Sequence, residues 1–87
     1  MPSSSVETQK FAGRLNEAIS TKGYKHSATA ICKKFNAVFE GKAITPHTAR
    51  NWLLGNSIPT HDKLLCLATM LDTSAVELRF GRSAEKT

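Results

Sequence analysis

Apolar residues recur along the chain at helical spacing, and the pattern predicts five short helices with little sign of strand. Phe11, Ala12, Leu15, Ala18 and Ile19 fall on one stripe of a first helix. Ser4 stands three residues before Glu7, the spacing of a capping box, and Gly23 ends the run. Ser27 is placed to cap a second helix, on which Ala28, Ile31, Cys32, Phe35, Val38 and Phe39 keep the spacing. Two stop signals compete there: Asn36 tolerates the left-handed conformation of a helix end, and Gly41 follows later. The apolar positions that continue to Phe39 favour the longer helix, with a small hairpin over "VFEGKAI" as the alternative.

The third segment is marked at both ends. Thr45 is a good N-cap, and Pro46 suits the first helical position, where its missing N–H costs nothing. Gly55 suits the position past the end, and Pro59 prevents continuation. Thr60 is placed to cap a fourth helix with Leu64, Leu67, Ala68 and Leu71 on its inner face. Ser74 and Glu77 have the spacing of a second capping box, opening a fifth helix with Val76, Leu78 and Phe80. Residues 1–4 and 82–87 are expected to be flexible ends. The 87 residues thus make one all-α domain, too short for a second core.

The third helix raises the functional question. At about 100° per residue, Ala49, Trp52 and Leu53 share one arc and form its inner face. His47, Asn51 and Leu54 lie opposite, with Arg50 on one flank and Thr48 on the other. The outer face is short, rich in hydrogen-bonding groups and free of carboxylates. Asn51 can pair bidentately with adenine, and Arg50 can reach guanine or a phosphate. His47 stands near the helix N-terminus, where backbone N–H groups favour phosphate. For an arbitrary helix such residues would be plain solvated surface, so the surroundings carry the weight.

Charge changes the picture. Residues 1–56 hold eight Lys and Arg against three Glu, whereas residues 57–87 hold four of each sign. The whole excess of +5 therefore lies in the first two thirds, and a polyanion is its natural partner. The sequence also excludes several classes. No apolar run approaches the roughly 20 residues of a membrane span, and "MPSSSVETQK" lacks the regions of a signal peptide. A cytoplasmic protein with reduced thiols is expected. Cys32 and Cys66 have no CxxC or HxxxH spacing around them, so no metal is expected; half-buried or buried thiols are the better reading. No phosphate loop, dinucleotide fingerprint or catalytic constellation occurs, and neither an enzyme, a cofactor nor a small-molecule substrate is expected.

From Ser27 to Leu78 the chain resembles the DNA-binding domain of the phage repressor and Cro-like (XRE-type) helix-turn-helix family. "SATAICKKF" resembles the first helix of the motif and "TPHTARNWLLG" the recognition helix. "NSIPTHDKLLCLATMLDTSAVEL" resembles the following loop, the fourth helix and the start of the fifth. The ordered set Trp52, Gly55, Ile58-Pro59, Leu64, Leu67-Ala68, Leu71 and Ser74 to Leu78 is its most specific part. More closely, the chain resembles small stand-alone proteobacterial regulators of this type.

The resemblance implies a five-helix lambda-repressor-like fold, with the motif at about residues 27–55 docked on double-stranded DNA. It implies that Pro46, His47, Arg50 and Asn51 face base edges and that Thr45 and Thr48 lie near phosphate. Ser27 would begin the helix that touches the backbone, with Lys33 and Lys34 further along it. Ala49, Trp52, Ile31, Cys32, Phe35 and Leu64 would be core, Cys32 letting the two motif helices approach. A homodimer on a two-fold site is the usual working form, and the charge-balanced C-terminal third, with Leu78 and Phe80, is the candidate dimer surface.

The chain departs from the pattern at four places. "NAVFEGKAI" replaces the usual turn of three or four residues, so the turn between the motif helices is extended. Ala28 stands where many members carry a phosphate-binding Gln. Pro46 offers only apolar contact. Leu53-Leu54 replaces the usual polar pair before the glycine; Leu53 can bury against the Val38–Phe39 segment, while Leu54 points outward. Ala28, Pro46 and Leu54 weaken the usual DNA surface and favour the alternative function, a protein-interaction module of antitoxin or adaptor kind on the same fold.

Overall fold

The computed structural model describes residues 6–81. They form five helices in chain order: α1 (Val6–Lys22), α2 (Ala28–Val38), α3 (Pro46–Leu54), α4 (His61–Met70) and α5 (Ala75–Phe80). There is no strand among the described residues. The expected capping box at Ser4 and the expected flexible ends at 1–4 and 82–87 fall outside the described residues.

Local chemistry sets most of the boundaries. Ser27 caps α2 by accepting from the Ala30 N–H at 3.3 Å, and Thr45 caps α3 by accepting from the Thr48 N–H at 3.3 Å. Ser74 caps α5 in the same way, from the Glu77 N–H at 2.9 Å. Thr60 differs from expectation. It occupies the N-cap position of α4, but its hydroxyl donates to the Asp62 carboxylate and makes no cap bond to the backbone.

The second helix is shorter than its apolar spacing suggests. It passes through Asn36, ends at Val38 and leaves Phe39 in an extended conformation (φ −77°, ψ 128°). Gly41 plays no part in stopping it, and the alternative hairpin is absent. Val38, expected on the inner stripe, is 56% exposed, while Phe39 folds back so that its ring lies 4.8 Å from that of Phe35. Seven residues, 39–45, therefore separate α2 from α3.

One core is shared by all five helices. Phe11, Leu15 and Ile19 of α1 meet Ile31 and Phe35 of α2, Ala49 and Trp52 of α3, Leu64 and Leu67 of α4 and Leu78 of α5. Phe35 and Trp52 meet edge-on, with ring centroids 5.5 Å apart, a favoured aromatic geometry. No polar or charged side chain is buried among the described residues.

Leu78 overturns the surface expected of it. It is 2% exposed because α5 lies against α1, where Arg14 Nε donates to the Leu78 carbonyl at 2.9 Å and Nη2 to that of Arg79. These bonds satisfy the open carbonyls at the end of a six-residue helix. The exposed Arg79–Glu7 pair at 3.2 Å joins the same two helices and adds little.

Candidate nucleic-acid interface

The position of α3 begins with a side chain in α2. Asn36 Oδ1 accepts from the Ile44 N–H at 2.9 Å, and its Nδ2 donates to the Ile44 carbonyl at 3.0 Å. One amide thus answers both backbone groups of a buried residue, as a neighbouring strand would. The Cys32 thiol donates to the same carbonyl at 3.3 Å. The seven-residue connection is pinned one residue before the Thr45 cap, so it delivers α3 at a defined place. The sequence marks Asn36 only as a possible stop; its partner lies eight residues away and leaves no periodic trace.

On α3 the inner and outer faces separate as the helical spacing predicts. Ala49 and Trp52 are buried, and Leu53 is half-buried with its carbonyl accepting from Asn16 Nδ2 of α1 at 3.1 Å. Val38, expected to cover Leu53, is exposed and turned to solvent. Pro46, His47 and Arg50 are exposed, Asn51 and Thr48 are partly covered, and Leu54 is 58% exposed. The exposed α3 surface thus holds a guanidinium, an imidazole and a carboxamide, with one leucine at its end. The Thr45 and Thr48 hydroxyls stand 3.3 Å apart at its start.

The far end of α3 is equally fixed. Gly55 takes the left-handed conformation (φ 83°), and a Cβ there would stand 3.2 Å from the Gln9 Cα of α1. Both the turn and the close approach of α1 require glycine. Beyond it the Asn56 N–H returns to the Asn51 carbonyl at 2.9 Å, and Asn56 Nδ2 donates to Asn51 Oδ1 at 3.3 Å. Asn56 has no mark in the sequence beyond its place after a helix-ending glycine.

The residues expected to meet the DNA backbone are not all brought together. Thr45 and Thr48 belong to the start of α3, and Ser27 is occupied in capping α2. Lys33 is exposed on α2. Lys34, one step of about 100° round the helix, turns to a different flank: its Nζ lies 4.5 Å over the Tyr24 ring, and the Tyr24 hydroxyl donates to the Met70 carbonyl of α4. Lys42, not singled out from the sequence, is exposed in the segment that leads into α3.

Away from this face the chemistry is sparse. Burial raises the pKa of the Cys66 thiol, and the Thr60 hydroxyl lowers that of Asp62. Burial and the nearby Arg79 lower that of Arg14, with Glu7 opposing. A cleft lies between α1 and the α4–α5 turn, bordered by Arg14, Thr21, Asp72 and Gly81, and no residue of α3 lines it. Both cysteines are free thiols, and among the described residues no three His, Cys, Asp or Glu side chains converge as metal ligands would. No described helix is long and apolar enough to cross a membrane. Comparison with protein-family models, curated proteins and solved structures finds no match for the chain.

Proposed function

We propose that this chain is a sequence-specific double-stranded DNA-binding protein, a transcriptional regulator that uses α2 and α3 as a helix-turn-helix unit of the phage repressor and Cro-like kind. The observation that carries this reading is the outer face of α3. His47, Arg50 and Asn51 project from a helix anchored on its other side by Trp52, with no carboxylate among them to repel phosphate. An α-helix fits the major groove, where Arg pairs with guanine and Asn with adenine. Pro46 offers apolar contact to a thymine methyl. Thr45, Thr48 and the N-terminal end of α2 at Ser27 serve the backbone, and Lys33 and Lys42 supply charge to phosphates. Lys34, drawn onto Tyr24, contributes less. This role brings a cytoplasmic location with it.

A single domain of this size makes few base contacts, so operator-level affinity calls for two copies on a two-fold site. With Leu78 in the core, the dimer surface is assigned to Val76 and Phe80, exposed at i and i+4 on α5.

The test is the anisotropy of a labelled mixed-sequence duplex titrated with folded protein across a range of salt. Binding that weakens linearly in log–log form as salt rises is the expected result. Absence of binding at low salt would rule the reading out. One observation favours a second reading: Leu54, 58% exposed at the last position of the same helix, suits a protein-docking module. That reading predicts a stoichiometric protein complex that Leu54→Ser abolishes and that DNA does not compete away.

A further inference from the structure

Three of the described helices end in the same backbone motif, in which a left-handed residue is followed by a second residue whose N–H bonds back across five residues. In α1 the Tyr24 N–H donates to the Ile19 carbonyl at 3.0 Å, and in α4 the Thr73 N–H donates to that of Ala68 at 2.9 Å. In α3 the same bond joins Asn56 to Asn51. A left-handed residue precedes each: Gly23, Asp72 and Gly55. The motif lays the side chain of the second residue over the last turn, where an apolar contact commonly accompanies it. Tyr24, packed against the core to which Ile19 belongs, follows that habit. Asn56 and Asn51 do not: an amide–amide hydrogen bond on an exposed surface stands in its place.

So exposed a bond adds little to stability, which directs attention to what it does to Asn51. A carboxamide has two acceptor lone pairs on oxygen and two donor hydrogens on nitrogen. Asn56 occupies one lone pair of Asn51 Oδ1, and the other lone pair and the Nδ2 donors remain for a base. Adenine presents the complementary pair in the major groove, an N6 donor next to the N7 acceptor. An amide free to rotate would offer the reversed order as readily.

We propose that Asn56 is a positioning residue for base reading, one that fixes the Asn51 amide in the orientation that pairs with adenine. The proposal rests on the DNA-reading role of α3 given above and names the specificity of that site. Gly55 is part of the device, because its left-handed turn folds Asn56 back over the outer face.

Two measurements test it. In the free protein, side-chain amide relaxation by NMR should find the Asn51 carboxamide ordered, and disordered in Asn56→Ala, with the melting temperature nearly unchanged. An Asn51 amide equally mobile in both proteins overturns the contact. In the second measurement, base preference is read from selected duplexes for wild type, Asn56→Ala, Asn51→Ala and the double variant. Asn56→Ala should lower the preference for adenine at one position of each half-site by about three- to tenfold, the scale of one net hydrogen bond. Asn51→Ala should lower it further, and adding Asn56→Ala to Asn51→Ala should change nothing more. A uniform loss across all sequences, or an unchanged adenine preference, overturns the positioning role while DNA reading by α3 stands. If wild type selects no sequence at all, both the role and the function it rests on fall together.

Discussion

The two faces of α3 do opposite work with nine residues between them. The inner face is spent on shape: Trp52, 2% exposed, sets its ring edge-on to Phe35, and the buried Ala49 lets α3 sit close in the core. The outer face contributes little to the core, and in the proposed function its side chains recognise rather than pack. The proposed function thus makes stability and recognition separable in this helix, residue by residue. Removing an inner residue should act on binding only by unfolding the domain, whereas removing an outer one should leave the fold intact.

The largest expected effect breaks the inner face. Trp52→Ala should destabilise the domain by about 3–5 kcal/mol, the usual scale for deleting a buried aromatic, as read from the urea midpoint. In a domain of this size that leaves little folded protein. A change below 1 kcal/mol would mean that α3 is not anchored as described.

Next in size is the junction that aims both faces. Asn36→Ala strands the backbone N–H of Ile44 and leaves its carbonyl only the Cys32 thiol, at a cost of about 1–3 kcal/mol. Asn36→Asp retains an acceptor for the N–H but no donor for the carbonyl, and should fall between the two. If Asn36→Ala unfolds at the wild-type midpoint, the connection is held by something other than this amide.

Outer-face substitutions sharpen the comparison from the other side. Asn51→Ala should alter stability by no more than about 0.5 kcal/mol, while weakening the preferred duplex by roughly 1–3 kcal/mol and relaxing its sequence preference. Loss of affinity in step with loss of stability would erase the distinction between the faces.

The smallest effect concerns the neighbouring lysines. Lys33→Ala should weaken all duplexes alike and reduce the salt slope by about one. Lys34→Ala should reduce it less, because Lys34 lies over Tyr24 on another flank. Equal slopes for the two variants would remove the argument for choosing between them.

What could be read from the sequence follows from how far each determinant reaches. Thr45, Pro46 and Gly55 act within one turn of the chain, so both ends of α3 and its inner and outer faces are legible in the sequence alone. The end of α2 is not. Apolar spacing continues to Phe39, but the helix stops at Val38, and the 39–45 segment is organised by Asn36 reaching across eight residues to Ile44. Leu78 is misread from the sequence for a similar reason. An apolar residue on a short helix near the chain end resembles surface until Arg14, 64 positions away, binds its carbonyl and holds α5 on α1. Thr60 has the right residue type for a cap, but Asp62 beside it competes successfully for the hydroxyl. Of the site, His47 and Asn51, with Arg50 on the flank, are legible as an outward set from periodicity, whereas Pro46 enters only through the resemblance. The role of Asn56 needs the fold-back at Gly55 to be visible.

The most direct test of α3 as a reading helix is selection of bound duplexes from a random library at moderate salt. The account predicts enrichment of a two-fold symmetric motif with half-sites about one helical turn apart, and loss of base preference within each half-site in Asn51→Ala. A folded protein that enriches no sequence would contradict it.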